Sequence, residues 1–386
     1  MNKLIEIAEV TSGQGAPQSR EYFSKVGIPF VRAGNLEMLI TSGEENNCEL
    51  ITKENADKLG LRLFPKDTIL FAKSGMSATL GRVYRLKSPC YVTNHLAAII
   101  PNNSTDPSYL QRWFEYYPPS RLIPNESYPS IRLSDIQNLE LNIPKDSSEQ
   151  KRISNLLDKA DSIRKKRQEA IRLADEFLRS TFLDMFGDPK KNPKGFRTEP
   201  IGNYIAEFRN ENPLSYPNKL YSYIDISSID NTNKKVIKTN KYLGSEAPSR
   251  ARQLVCKGDI IISTVRPNLN AVAIIEDDYE NLITSTGFCV LKCNNEILHM
   301  YYLFTLLTSQ YFILEMTKIA KGASYPAISN NDILNFRIPI PSAHLQKKYS
   351  DMFIAVSHIK QKFESYLTES ENLFNSLMQC AFRGEL

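Results

Sequence analysis

The chain is poor in the residues that build metal centres, covalent frameworks and cofactor cradles. Its 386 residues include six cysteines and four histidines. Six cysteines in so long a chain do not make a disulfide scaffold, and a reducing cytoplasm fits them. His95, His299, His344 and His358 are scattered, with no two at a metal-ligand spacing. Cys289 and Cys293 with His299 come nearest to a ligand set, but they lack a fourth partner and a close cysteine pair. Alternation along a strand puts both thiols on one face, where free cysteines are ordinary core, so no metal is expected. There is no phosphate-binding loop of the Walker type, and Gly75 to Gly81 lacks the Gly-x-Gly start of a dinucleotide loop. Asp67 and Asp259 recur at equivalent places ahead of apolar strands, but turns favour Asp for hydrogen-bonding reasons alone. No nucleophile stands beside a positioned base, so no catalytic residue is expected. A run of 18 apolar residues is missing, which argues against a membrane span, and MNKLIEIAEV with Glu6 and Glu9 is no secretory signal.

What is present is globular. Apolar residues make up 41% and charged residues 24%, with a mild net charge of +5 that is compatible with DNA without demanding it. The stretch from Pro144 to Phe186 stands out. It is highly charged, and neither glycine nor a second proline interrupts it. Ser147 or Ser148 can cap its start, and Gly187 and Pro189 end it. Its apolar residues fall at gaps of three and four, which predicts a heptad seam of Leu156, Ala160, Ile163, Ala170 and Phe177, with Arg167 at the gap. From Leu156 to Thr181 such a helix would run roughly 38 Å. The C-terminal stretch repeats the spacing with Met352, Val356, Ile359, Phe363, Tyr366, Leu373 and Leu377. Each lies 196 positions after a member of the first register, so the two seams can bury each other as an antiparallel pair, with Phe363 expected near Arg167.

The duplication extends beyond the helices. Tyr128-Pro129-Ser130-Ile131, Asp135-Ile136, Asn138 and Ile143-Pro144 return as Tyr325-Pro326-Ala327-Ile328, Asp332-Ile333, Asn335 and Ile340-Pro341, which is eight identities over 17 residues. Leu63 to Leu70 resembles Leu254 to Ile261 more faintly. The chain is therefore two copies of a unit of nearly 200 residues, each a strand-rich globular part followed by a long helix. The fold class expected is mixed α+β, with two pseudo-repeated domains joined by two long antiparallel helices. The boundaries expected are 1–144 for the first domain, 145–186 for its helix, 187–341 for a basic connector and the second domain, and 342–386 for the second helix. Within the domains, Tyr91 to Ile100 reads as one strand and Met300 to Thr317 as one helix.

Nucleic-acid contact is the chemistry that the surface favours. Phosphates call for Lys, Arg and small hydroxyls, and base edges for Arg, Lys, Asn, Gln or Ser. In the first copy the candidates are Arg32, Lys73, Ser74, Arg82, Arg85 and Asn94. In the second they are Lys234, Lys235, Arg252, Arg266, Asn268 and Lys321. Arg266 stands out, at a strand end in the rigid context Thr264-Val265-Arg266-Pro267-Asn268. Two similar modules on a rigid spacer would read two short DNA segments a fixed distance apart.

At this point the sequence resembles the specificity subunit of a type I restriction-modification system, over essentially the whole chain. The marks are the two Tyr-Pro-x-Ile, Asp-Ile, Ile-Pro segments ahead of long helices, Pro144 followed by Glu149-Gln150 and Ile153-Ser154-Asn155-Leu156-Leu157, and the turn Lys257-Gly258-Asp259-Ile260. The resemblance implies that each globular part is a target-recognition domain reading one half of a bipartite double-stranded DNA sequence. It implies that the helices pack as an antiparallel coiled coil and dock two adenine-N6 methyltransferase subunits, which are joined by two ATP-dependent translocating nuclease subunits. S-adenosylmethionine, ATP and Mg2+ would then belong to the partners, with no cofactor in this chain. The second arm starts Ser342-Ala343-His344-Leu345-Gln346 without the glutamate of the first, so the two docking surfaces need not be equal. Two other readings stand beside this one. A stand-alone DNA-modifying enzyme would need a metal–carboxylate cluster or a methyl-donor loop. A coiled-coil scaffold binding proteins rather than DNA would show no salt-sensitive DNA affinity.

Overall fold

The computed structural model describes residues 2–294 and 296–386. Two long helices, Ser147–Phe186 and Ala343–Arg383, run through the chain without a break. The compact units differ from the four consecutive segments expected. One unit comprises the residues up to Gln168 with Ser365–Leu386, and the other comprises Glu169–Glu364. Each unit therefore holds the beginning of one long helix and the end of the other, so the helices pair antiparallel. No helix among the described residues is long and apolar enough to cross a membrane.

Both units are built to one plan. In the first, an antiparallel sheet has the order Ala8–Ser12, Leu96–Pro101, Ile69–Ala72, Val83–Arg85. In the second, the same order is filled by Ile205–Ala206, Phe288–Cys293, Ile260–Ser263, Val272–Ile274. A second sheet follows in each. Its central parallel pair is Ile28–Val31 with Cys90–Val92 in one unit and Leu220–Ile224 with Leu282–Ser285 in the other. The strands Ile69–Ala72 and Ile260–Ser263 are buried along their whole length. Side chains alternate across a strand, so Ile69 and Phe71 enter one core while Leu70 and Ala72 enter another, and Ile260 and Ile262 part from Ile261 in the same way. A continuous apolar run is what a sheet packed on both faces requires.

Several local expectations are corrected. Tyr91 to Ile100 is two strands in two sheets, Cys90–Val92 and Leu96–Pro101, because the chain turns at Thr93-Asn94-His95. Met300 to Thr317 is two helices, Met300–Leu307 and Gln310–Ile319, because the Ser309 hydroxyl caps the second by accepting from the Phe312 N–H at 3.3 Å. The first long helix is capped by Asp146, not by a serine, since its carboxylate accepts from the Ser148 N–H at 2.9 Å. Asp67 and Asp259 are not equivalent. Asp67 takes a left-handed backbone (φ 68°), as Gly258 does (φ 92°), and buried Thr68 aligns with Asp259. Asp259 accepts from the Cys256 N–H at 2.9 Å and so has a structural task. Cys289 is core, and burial pushes the thiols of Cys289 and Cys293 up to about 12.

A glutamine ties each long helix to its domain. Gln150 accepts from the Asp106 N–H at 2.8 Å and donates to the carbonyls of Ser104 (3.1 Å) and Pro144 (2.8 Å). Gln346 accepts from the His299 N–H at 2.9 Å and donates to the carbonyls of Ile297 (3.0 Å) and Pro341 (2.8 Å). Both side chains are buried, and both lock the first helical turn to the start of a domain helix, Pro107–Tyr116 or Met300–Leu307. An amide is suited to this place because it accepts and donates at once without carrying a charge into the core.

The seam is shifted by one residue at every second position. Ala160 is buried and Leu156, Ala170, Met352, Val356 and Phe363 are half-buried, but Ile163 (50%), Phe177 (52%), Ile359 (51%), Tyr366 (45%) and Leu373 (56%) are exposed. The inward residues are Leu157, Arg164, Ile171 and Leu178 on one helix and Phe353, Lys360, Leu367 and Phe374 on the other. The helices carry two apolar stripes that share Ala160, Ala174, Val356 and Phe363. Charges at Arg164 and Lys360 hide the true register from a count of apolar residues. Arg164 is admitted because it pairs with Asp161 at 2.7 Å and lies 5.2 Å over the Phe374 ring, and Lys360 because it reaches Asp175 at 2.7 Å. Arg167 meets Tyr366. Its guanidinium lies 5.3 Å over the Tyr366 ring and donates to the Tyr366 carbonyl and the Ser370 hydroxyl.

Candidate nucleic-acid interface

In each unit the strand Ile69–Ala72 or Ile260–Ser263 delivers its end to the Tyr-Pro segment through the same backbone clasp. In the first unit the Gly75 N–H donates to the Pro129 carbonyl at 3.0 Å and the Ile131 N–H to the Lys73 carbonyl at 2.7 Å. In the second the Arg266 N–H donates to the Pro326 carbonyl at 2.7 Å and the Ile328 N–H to the Thr264 carbonyl at 2.9 Å. Buried Ile131 and Ile328 anchor the segment, while Tyr128 (83%) and Tyr325 (70%) stand exposed. An aromatic ring held in water by a proline and a buried isoleucine is available to stack on a base or cover an arginine.

Both donors have positive φ but different backbones. Gly75 is at φ 77°, ψ 178°, a region kept for glycine, and Arg266 is at φ 51°, ψ 61°, in the left-handed helical region. A left-handed L-residue costs ~1–2 kcal/mol that glycine does not incur. Lys234 (φ 58°) and Asn270 (φ 47°) share that conformation, and the Lys234 ammonium donates to the Asn270 carbonyl at 2.6 Å. Burial lowers the Lys234 pKa below the usual lysine value. Asn270 is itself buried, and its side-chain N–H2 has no partner among the described residues.

The structure gathers part of the expected set. Lys73 and Ser74 lie in the first clasp, where the Ser74 hydroxyl meets His95 Nδ1 at 2.8 Å and Asn94 is exposed beside it in the chain. Arg266, Asn268 and Lys321 belong to the second clasp and its flanks, and Lys234 joins them through Asn270. The remaining cations are engaged elsewhere. Arg32 pairs with Glu49 at 2.7 Å, Arg82 with Glu37 at 3.0 Å, Arg85 with Asp67 at 3.4 Å and Lys235 with Glu364 at 3.2 Å. Arg252 donates to the carbonyl of Ala251 at 2.9 Å. Asn270 is among the polar residues that the sequence offers for the second unit, whereas Tyr128, Tyr325 and His95 are not singled out there as contacts. The repeated Tyr-Pro pair is the signal for the two tyrosines; nothing in the sequence marks His95.

A second surface feature lies on the helix pair of the second unit. Ala170, Leu173, Ala174, Phe177, Val356, Ile359 and Phe363 line an open apolar groove of about 580 Å³. Positions 196 residues away place Arg167, Glu369 and Ser370 in the first unit where Phe363, Leu173 and Ala174 stand in the second.

Residues 1–173 and 211–367 match the family described as the type I restriction modification DNA specificity domain. The chain belongs to that family. Its relatives include the "Type I restriction enzyme HindI specificity subunit" of Haemophilus influenzae, 28% identical over 44% of this chain and 36% of that one. Another is the "Type I restriction enzyme MjaVIII specificity subunit" of Methanocaldococcus jannaschii, 22% identical over 65% of this chain and 63% of that one. The chain thus spans about a third and just under two thirds of these relatives' lengths. The fold is that of the type I restriction-modification S subunit from M. genitalium, with a TM-score of 0.62 at 14% identity over 99% of this chain and 95% of the other.

Proposed function

We propose that this chain is the DNA-reading subunit of a type I restriction-modification complex, binding double-stranded DNA at two short half-sites, one per globular domain. The observation that carries the reading is the clasp built twice on one backbone plan with different side chains, Gly75 with Tyr128 and Arg266 with Tyr325. A shared frame with divergent tips is what two readers of different sequences need. The chain supplies no chemistry of its own in this proposal. Adenine-N6 methylation belongs to two methyltransferase subunits that bring S-adenosylmethionine, and cleavage to two nuclease subunits that bring ATP and Mg2+. Helices of the methyltransferases dock on the helix pair, and the apolar groove around Phe177 and Ile359 suits such an occupant.

The test is a map of modified adenines in DNA from cells that express this chain with the methyltransferase encoded beside it, each alone serving as control. The proposal predicts modification at a split motif, two short blocks around a fixed gap, only when both are present. Soluble, co-purifying proteins that leave no such motif, together with no salt-sensitive DNA affinity, would favour a protein-binding scaffold instead.

A further inference from the structure

We propose that Arg266 reads a guanine in the half-site taken by the second domain, with Tyr325 holding its guanidinium in plane. This rests on the DNA-reading function above. The guanidinium carbon lies 4.8 Å over the centre of the Tyr325 ring. That ring sits in a tight turn closed by Lys321 and Ala327, whose N–H groups each donate to the other's carbonyl at 2.9 Å. Pro267 follows Arg266 and stiffens the other side. Arg32, Arg82 and Arg85 each have a carboxylate partner, whereas Arg266 has none within ion-pair distance among the described residues.

The comparison with Gly75 decides what this side chain is for. Both residues close the same hydrogen bond to a proline carbonyl, Gly75 at ψ 178° and Arg266 at ψ 61°, and the left-handed position of Arg266 is one that glycine adopts without strain. Arginine in its place adds strain and brings only its side chain, and strain kept at a surface loop marks a function carried by that side chain. A phosphate contact would need only a positive charge, which a lysine on unstrained backbone provides. A planar guanidinium held against a ring, with its N–H edge free, is instead matched to the O6 and N7 acceptors of guanine in the major groove.

The experiment uses the complex with the cognate methyltransferase and three variants, Arg266→Gly, Arg266→Lys and Tyr325→Ala. Adenine modification is mapped, and binding is measured at two salt concentrations by competition among duplexes altered at each position. Arg266→Gly should fold as well as the parent, because glycine suits the left-handed position. It should lose roughly 10- to 100-fold discrimination at one G·C pair, with the other half-site unchanged. Arg266→Lys should relax the same position while keeping the charge, and Tyr325→Ala should do so less completely. Equal weakening on every sequence, with a salt dependence shallower by about one charge, would make Arg266 a phosphate contact and overturn the proposal. Unchanged selectivity in all three variants would also overturn it. Absence of any split modified motif with the unaltered chain would instead sink the DNA-reading function, and this proposal with it.

Discussion

The two units share a joint between domain and helix with aromatic rings packed in both, Tyr109 on Phe382 in the first and Tyr302 on Phe186 in the second, yet one matched position carries opposite chemistry. In the first, Arg112 on the domain helix reaches Asp158 at 2.8 Å, Asp161 at 3.1 Å and Glu115 at 2.7 Å, with its guanidinium 5.6 Å over Phe374. In the second, the corresponding position is Thr305, whose hydroxyl meets Tyr349 at 2.9 Å. Around it Phe182, Phe186, Tyr302 and Tyr349 pack ring against ring at 4.8–5.5 Å. The glutamine clasp beside the joint is the same in both. Backbone geometry and one amide recur in both joints, while this one position is free to hold an ionic network or a pair of hydroxyls. The ionic network is the more brittle of the two, since losing one partner weakens the compensation of a buried charge, whereas a neutral hydroxyl pair loses one hydrogen bond.

The largest difference should appear on truncating the matched pair. Arg112→Ala is expected to cost about 2–3 kcal/mol, because Asp161, with its side chain 3% exposed, keeps Arg164 and Lys165 but loses its third cation, and Asp158 and Glu115 lose theirs. Thr305→Ala should cost about 1 kcal/mol. Trp113 is the only tryptophan and sits in the core of the first unit, so its fluorescence reports unfolding of that unit alone, with backbone circular dichroism reporting both. Equal costs in the two units would remove the contrast.

Acid should separate the units next. Burial pushes the Asp161 carboxyl up, but Lys165, Arg112 and Arg164 outweigh it and hold it at about 2, against an ordinary 3.8. A carboxyl with a depressed pKa stabilises fully above its unfolded value and loses that contribution as pH falls through its folded one. The first unit should therefore lose about 2 kcal/mol between roughly pH 4 and pH 2. In Asp161→Asn the Trp113 transition should lose that pH dependence. A dependence that survives the substitution would place its origin elsewhere.

The smallest contrast concerns a matched tyrosine. Tyr302 donates to the Pro339 carbonyl at 2.7 Å, whereas buried Tyr109 has no partner for its hydroxyl among the described residues. Tyr302→Phe should cost about 1 kcal/mol, and Tyr109→Phe should be neutral or slightly stabilising. Thermal unfolding of the two variants checks the pair, and a loss from Tyr109→Phe equal to that from Tyr302→Phe would contradict it.

Much of this architecture was legible in the sequence because it is written twice. The repeat of Tyr-Pro-x-Ile and Asp-Ile, the two long helices and the buried runs Ile69–Ala72 and Ile260–Ser263 all follow from spacing. The helix register was not legible, because Arg164 and Lys360 occupy inward positions that a count of apolar residues assigns to Ile163 and Ile359. The turn at Thr93-Asn94-His95 was hidden because apolar residues lie on both sides of it. The clasp was hidden for a different reason. It joins residues more than fifty apart in each unit, and a left-handed backbone at Arg266 has no mark in the residue itself. Of the expected contact set, Arg32, Arg82, Arg85 and Lys235 look as basic in the sequence as Arg266 does. Only the structure shows that each of these four has a carboxylate partner.

The central claim is that two domains of one plan read DNA independently. Its most direct test replaces residues 1–144 with the corresponding segment of another family member and maps modified adenines in cells that also express the methyltransferase. The account predicts that one block of the split motif changes while the other block and the gap stay as they were. A folded, methyltransferase-bound chimera that alters both blocks would contradict it.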